Sequence, residues 1–375
     1  MSNIFDYLNW RGDITFGNAP LCPADALILS VLPYIRLEGF VPSSPTAEPV
    51  RLADAAKAYL AQPLADDVID QNHNRLLARL CDTPRFANLR LVAARKSIDR
   101  ALGMQFAAIT VLLPGQSLFL AFEGTDNTLV GWQEDFRMSY ECPVPAQLRA
   151  AAYFKEVARA HPLRRAFLGG HSKGGTLAMY AAVHGGEELY HRIRAVYNND
   201  GPGFCDDTLA SPGYRTLRPR IHTFLPQSSI VAVLLEHDEN YRIVKSDAKG
   251  ILQHDVYSWQ VMGNDFEYAT ERTAFGRRTE EIVDRFVKGM SPERLKRFGE
   301  ALFTLLEGTN YDTVSAIGSN RLQSAKAILR GYTELDAELR DVVLEAVAAL
   351  NRSRREVKRD ERERSAALKK QEKSS

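Results

Sequence analysis

The amino-acid sequence predicts an α/β protein with a mostly parallel central sheet, a helical lead at the N-terminus and a helical region at the C-terminus. Three observations predict it. From about residue 146 onward, short apolar runs alternate with helix-length segments: AQLRAAAYFKEVARA, RAFLGG, KGGTLAMYAAVH, IRAVYNND, then IHTFL and YRIVKS. Strands separated by helices of that length need crossover connections, which make a parallel sheet covered on both faces. Ahead of this stretch, LRLVAARKSI, MQFAAITVLL and SLFLAFEG are parted by the turn-like DRALG and PGQ and read as three successive strands, antiparallel at first. Beyond about residue 265 no strand pattern survives, and TEEIVDRFVKGM, SPERLKRFGEALFTLLEG and ELRDVVLEAVAAL read as helices.

The flanking elements follow from local signals. ADALILSVLPY packs apolar residues densely behind Asp25, and VRLADAAKAYLA is rich in strong helix formers, so the first eighty or so residues read as helical. In the C-terminal region, Ser291 as cap, Pro292 in the first turn and Glu293 behind it mark a helix start. The last 25 residues hold ten basic and five acidic residues and almost no apolar ones, which suits a solvated helix extension or a disordered tail. No internal repeat is present. These boundaries divide the chain into residues 1–264, with N-terminal helices over about 1–85, a helical region 265–350 able to form a lid or pocket wall, and a charged tail 351–375.

Composition narrows the function classes. Hydrophobic content of 45%, charged content of 25% and a formal net charge of +1 fit a globular protein and give no global attraction to nucleic acid. No apolar run approaches the roughly 18–20 residues of a membrane-spanning helix, although peripheral membrane contact is compatible with the sequence. The opening MSNIFDYLNWRGD carries Asp6, Arg11 and Asp13 where a secretion signal needs an apolar stretch. Cys22, Cys81, Cys142 and Cys205 are scattered, without a C-x-x-C or a zinc-like spacing, and read as reduced thiols of a cytoplasmic protein. No metal or organic cofactor is called for.

The chemistry is carried by RAFLGGHSKGG. A G-x-S-x-G alone is common by chance, but here it lies where a strand ends and a helix begins. In that setting Ser172 adopts a strained turn, and Gly170 and Gly174 relieve the crowding on either side. The Lys173 N–H, at the start of the helix, then points at a developing oxyanion. A serine nucleophile needs a base and an acid downstream, in the order Ser, Asp or Glu, His. Of five downstream histidines, His254 in KGILQHDVYSW follows a strand and a flexible SDAKG loop and best overhangs the carboxyl edge of the sheet. His184 and His191 border the wrong end, His222 lies within or at the start of a strand, His237 lies in a charged stretch, and His171 reads as packing. Asp200 ends the strand AVYNN before a GPG loop and ranks first as the acid, with Glu236 and Asp238 as alternatives. FLAFEGTDNTLVGWQEDF supplies a strand followed by Gly124 and Thr125, suited to a second oxyanion donor. Asp126 and Asp135 read either as further polar site residues or as loop caps, with the caps favoured.

FEGTDNTLVGW, GGHSKGG and YNNDGPGF together resemble the class 3 lipases, a branch of the α/β-hydrolases. The chain resembles still more closely a bacterial family of lipase-like proteins with a similar DYLNWRGDITF opening and similar NNDGPG, PQSSIV and QHDVYSWQV segments, over most of residues 3–350. The resemblance implies an α/β-hydrolase fold with Ser172 as nucleophile, His254 as base, and Thr125 with Lys173 as oxyanion donors. Two positions depart from class 3 lipases: Glu123 stands where they place an Arg, and PQSSIV stands where they carry the acid. The expected function is a serine hydrolase cleaving a carboxylic ester, lipid-like or small and soluble, through a Ser172–His254–Asp200 triad and an acyl-enzyme. Alternatives are a thioesterase or serine peptidase on the same fold, and a non-catalytic interaction or regulatory module.

Overall fold

The computed structural model describes residues 2–62, 71–229, 231 and 239–374. The helical lead comprises α1 (Ile4–Arg11), α2 (Pro23–Val31), α3 (Leu52–Leu60), α4 (Gln71–Cys81) and α5 (Pro84–Ala87). Asn3 starts α1 by accepting from the Phe5 N–H, while Asp6 reaches back to the Asn3 N–H. Every residue of α2 from Ala24 to Val31 is buried, as an apolar run with no polar face requires.

A nine-stranded sheet follows: β1 (Val50–Arg51), β2 (Arg90–Asp99), β3 (Met104–Leu113), β4 (Ser117–Phe122), β5 (Arg165–His171), β6 (Ile193–Asn199), β7 (Ile221–Pro226), β8 (Tyr241–Val244) and an edge strand, Tyr268–Ala269. The strands lie in sequential order. β1 to β4 pair antiparallel, β4 to β8 parallel, and the edge strand antiparallel to β8. This is the mixed sheet that the strand runs imply. The intervening helices are α6 (Leu129–Arg137), α7 (Pro145–Ala160), α8 (Lys173–His184), α9 (Asp206–Leu209) and α10 (Pro212–Leu217).

Sequential order has a consequence for the layers. Right-handed crossovers between neighbouring parallel strands put their helices on one face of the sheet. There α7 and α8 bury Leu118, Leu120 and Phe122 of β4 with Leu168 and Val196. Among the described residues the other face receives no crossover helix and is covered by the N-terminal helices, which bury Phe119, Ala121, Ala195 and Tyr197. The alternation of residues 118–122 between these two cores is the period-2 pattern of a strand buried on both sides. The fold is thus an α/β-hydrolase fold whose second helical layer is its own N-terminal lead.

Pairing register brings the strand ends to one edge. Phe122 pairs with Gly170, His171 with Asn199, and Asn199 with Phe224. The segments following β4, β5, β6 and β7 therefore emerge side by side at the carboxyl edge, where open α/β sheets bind ligands.

The C-terminal region is helical: α11 (Ala274–Lys288), α12 (Pro292–Glu307), α13 (Val314–Ser319), α14 (Arg321–Glu334) and α15 (Ala337–Ser374). Ser291 caps α12 by accepting from the Arg294 N–H. Two small cores, Met290–Leu295–Ala346–Ala349 and Ala301–Leu305–Leu335, hold these helices together. The charged tail continues α15 as helix, tied to α11 by Arg285–Asp360 at 2.7 Å and Arg364–Glu281 at 2.8 Å. Among the described residues no helix is long and apolar enough to cross a membrane.

One sequence expectation is corrected. Cys142 and Cys205 form a disulfide, and only Cys22 and Cys81 are free thiols. The two half-cystines are 63 residues apart, so no local spacing announces them; the fold brings the segment before α7 against the loop after β6.

The N-terminal layer is locked by a buried ion pair. Asp25 accepts from Arg85 Nε at 2.7 Å and Nη2 at 2.6 Å and from the Tyr7 hydroxyl at 2.7 Å, and both charged side chains are fully buried. Removing one partner leaves an uncompensated buried charge, a loss of about 3–5 kcal/mol. Asp25→Ala is accordingly expected to lower the urea midpoint by that equivalent, and a loss under about 1 kcal/mol contradicts the account.

Candidate active site

At the end of β5 the chain turns into α8 through Ser172, whose φ of 58° and ψ of −138° lie in a region L-residues rarely occupy. The turn is fixed from both sides: the Ser172 N–H donates to Asn199 O at 2.9 Å, and Ser172 O accepts from the Gly175 N–H at 2.9 Å. A Cβ on Gly170 would lie 2.2 Å from the Gly174 carbonyl, and one on Gly174 would lie 2.2 Å from Phe122 O. Both flanking glycines are therefore required by backbone approach. Lys173 opens α8, where the first N–H groups of a helix have no intrahelical acceptor. Its side chain is fully buried and donates to Gln105 Oε1 at 2.6 Å, Glu134 Oε2 at 2.9 Å and Gln105 O at 3.0 Å.

Asp200 follows β6 in a left-handed conformation, φ 55°, which Asp tolerates better than most residues. It is fully buried, and its Oδ2 lies 2.6 Å from His254 Nδ1. Ser229 Oγ donates to the other oxygen, Oδ1. The PQSSIV segment thus contributes a hydroxyl to the Asp200 carboxylate rather than an acid. Glu236 and Asp238, the alternative acids, lie outside the described residues. Because Nδ1 faces a carboxylate, it carries the proton, which leaves the Nε2 lone pair available. Among the described residues Ser172 Oγ makes no hydrogen bond to that imidazole.

His171 does more than pack. Its Nε2 lies 2.9 Å from His254 O, and a carbonyl can only accept, so Nε2 carries the proton and Nδ1 receives the Tyr34 hydroxyl at 3.1 Å. The His171 and His254 rings are 4.5 Å apart. Burial, with the nearby His254, holds His171 well below the ordinary imidazole value, so it stays neutral and clamps the His254 loop to the elbow. The bond to His254 O spans 83 residues, and its acceptor is a backbone atom, so the sequence offers no signal for it.

Gly124 and Thr125 follow β4. A Cβ on Gly124 would lie 2.1 Å from the Tyr34 hydroxyl and 2.9 Å from Ser172 Cβ, so the loop abuts the elbow. Thr125 Oγ1 is buried without a hydrogen-bond partner, and so is Asp135 Oδ1 on α6. Asp126 does cap the loop, accepting from the Thr128 N–H at 2.9 Å, but Asp135 is no cap. The α6 cap is Thr128, which accepts from the Gly131 N–H at 3.1 Å. A readable signal existed. Gly131 and Asp135 share a helix face at i, i+4, and a Cβ on Gly131 would lie 2.9 Å from Asp126 Oδ1 and 3.4 Å from Thr125 Cγ2, so that face meets the loop.

A cavity of about 470 Å³ opens at this edge, lined among others by Thr125, His171, His254, Trp132, Leu252 and Tyr257. Glu123, also on its wall, is pushed up to about 7 by burial, partly offset by Lys96 at 3.1 Å. Burial likewise raises Asp135, with Lys173, the Thr125 hydroxyl and His254 pulling the other way. For His254 burial lowers the pKa, but the bond to Asp200 and the charges of Asp200, Asp135 and Asp255 outweigh it, and the imidazole is raised above 6.5. A carboxylate-held imidazole and the Thr125 hydroxyl line this cavity, beside the strained Ser172 turn, on an α/β-hydrolase fold. The chain belongs to the Mbeg1-like family, whose model matches residues 80–304. No curated protein matches it.

Solved structures similar to the chain include Rhizomucor miehei lipase in its propeptide complex, at 15% identity over 50% of this chain and 72% of that one, TM-score 0.36. The M37 lipase has 13% identity over 71% and 80%, TM-score 0.36. Lip2 lipase from Yarrowia lipolytica has 12% identity over 58% and 86%, TM-score 0.32.

The His254 account is measurable without a substrate. In an NMR titration the His254 ring should titrate above 6.5 and fall below its wild-type value in Asp200→Asn, which keeps the left-handed backbone but removes the charge. A ring titrating at or below 6.5 in both proteins contradicts the account.

Proposed function

We propose that this protein is a serine hydrolase that cleaves a carboxylic ester through an acyl-enzyme. The observation that carries the reading is the 2.6 Å bond from buried Asp200 to His254 Nδ1, on a histidine that shares one cavity wall with Thr125 beside the Ser172 turn. Asp200 fixes the tautomer that leaves Nε2 free to take a proton. Ser172 Oγ attacks the ester carbonyl as His254 removes its hydrogen, and His254 then delivers that proton to the leaving alcohol. Water, deprotonated by the same nitrogen, releases the acid and restores Ser172. The contact between Ser172 and His254 is assigned to the substrate-bound state, since such bonds tighten in the Michaelis complex.

The tetrahedral oxyanion is held by the Lys173 N–H, reinforced by the helix dipole of α8, and by Thr125. The Thr125 hydroxyl favours this role, because it is buried at the cavity wall against Asp135 and can turn to donate to a ligand. Asp135, against that hydroxyl, is the positioning group. The cavity suits a substrate of small-molecule size with an apolar acyl part against Val31, Ile35 and Leu252, and the motif resemblance to lipases points the same way. The Cys142–Cys205 disulfide favours an oxidising compartment over the cytoplasm. The absent Ser172–His254 bond favours a second reading, a non-catalytic module on the same fold.

A fluorophosphonate probe with intact-mass detection separates the two. One adduct is expected on wild type, none on Ser172→Ala, and strongly slowed labelling on His254→Ala. Against esters of graded chain length, Asp200→Asn is expected to lower kcat by roughly 10³–10⁴ and Thr125→Val by about a hundredfold. Folded wild-type protein that neither labels nor hydrolyses any ester leaves the non-catalytic module standing.

A further inference from the structure

The C-terminal helical region touches the loop that carries Thr125 through one extended segment. Asp312 and Thr313, which precede α13, and its first residues Val314 and Ser315 run alongside residues 127–129. The Leu129 N–H donates to Asp312 O at 2.9 Å, the Val314 N–H donates to Asn127 O at 3.0 Å, and Thr128 pairs with Thr313 in an antiparallel bridge. The Asn127 side chain doubles the connection: its Oδ1 accepts from the Ser315 N–H at 3.1 Å, and its Nδ2 donates to Ser315 Oγ. From the other side Arg100 holds Asp312 at 2.8 Å. Thr313 lines the same cavity as Thr125, Asn127 and Thr128. The 312–315 side of these contacts lies beyond residue 304, where the family match ends.

We propose that residues 312–315 are a positioning element for the oxyanion loop, so that the C-terminal region sets the placement of Thr125 and does not merely cover the site. The inference rests on the serine hydrolase reading. The loop leaves β4 at Phe122 and regains regular structure at Leu129, and its far end is where the bridge attaches. Two backbone and two side-chain hydrogen bonds there fix that end against the sheet-anchored start. Placement matters because a displacement of about 1 Å in a catalytic group can cost on the order of a hundredfold in rate.

Thr313 is extended, φ −131° and ψ 147°, and its side chain caps α13 by accepting from the Ala316 N–H. Val314 is therefore the first helical residue, a position where proline costs no helical hydrogen bond and where the extended residue before it is compatible. Val314→Pro combined with Ser315→Ala removes one backbone and one side-chain bond to Asn127 while α13 keeps its start. Ser315→Ala alone, at an exposed residue, is the milder variant should the double one fold poorly.

The experiment reads ester kinetics, thermal midpoint and amide hydrogen exchange on the full chain. The double variant should lose about tenfold in kcat with KM little changed and an unaltered midpoint, while exchange at residues 125–129 accelerates; the single variant should move the same way by less. Unchanged kcat despite faster exchange overturns the proposal, because the loop then needs no bracing. Unchanged exchange overturns it as well, because the bridge then does not hold the loop. Should wild type hydrolyse no ester and resist the probe, the hydrolase reading itself falls, and catalytic positioning falls with it. Exchange at 125–129 would then test only the mechanical bracing.

Discussion

The arrangement depends on how closely backbone segments approach at the β5–α8 turn. Ser172 can hold its strained conformation only because the start of α8 presses directly on the ends of β4, β5 and β6. Gly174 meets Phe122 O, Gly170 meets the Gly174 carbonyl, and a Cβ on Gly175 would lie 2.1 Å from Asn198 Oδ1. A Cβ on Gly201 would lie 2.5 Å from Ser172 O. The glycines are therefore one constraint distributed over three strand ends, and it also sets the separation of the loops that carry Thr125 and Asp200. Without side chains to spare, no packing adjustment can relax the turn, so the hydroxyl stays lifted over the sheet edge.

Close approach leaves little room for water, and the polar groups beneath the turn are satisfied internally. Lys173 is the hub. Glu134 accepts from Lys173, from the Gln105 N–H at 3.0 Å and from the Ala146 N–H at 2.8 Å, so one carboxylate ties the elbow, β3 and the start of α7. Gln105 Nε2 continues the chain to Glu123 at 2.8 Å, and Lys96 closes it at 3.1 Å. Such a network is costly unless every member is paired, and once paired it admits one geometry. Glu123 follows β4, and Lys96, on β2 across the intervening β3, supplies its cation.

What the sequence made legible follows from the range of each signal. Strand and helix periodicities are local, and they fixed the α/β class, the two helical ends and the alternation from residue 146. Ser172 and Asp200 each stand directly after a strand-like run, and register gathers such positions at one edge, whereas His254 lies beyond a loop after β8 and reaches Asp200 from there. Asp135 was read as a cap because its neighbour across the gap, Thr125, is ten residues upstream with a helix start between them. His171 was read as packing because the group it holds is a carbonyl 83 residues away. The Cys142–Cys205 bond and the 312–315 bridge are tertiary contacts between segments with no pattern of their own. Strain, by contrast, left its trace in composition as clustered glycines.

The unpaired atoms carry the argument furthest. A fold that satisfies Lys173, Glu134, Gln105 and Glu123 to this degree nevertheless leaves Thr125 Oγ1 and Asp135 Oδ1 buried without partners. Either atom lost to an apolar replacement would relieve an unfavourable term of about 1–3 kcal/mol. Thr125 lines the cavity that also meets His254, His171 and the ionisable Glu123. A raised imidazole, the Thr125 hydroxyl and an ionisable carboxyl line 470 Å³ of space beside the strained Ser172 turn, the kind of clustering that marks a candidate functional site. Under the serine hydrolase reading proposed above, such a surface is completed by its transition state.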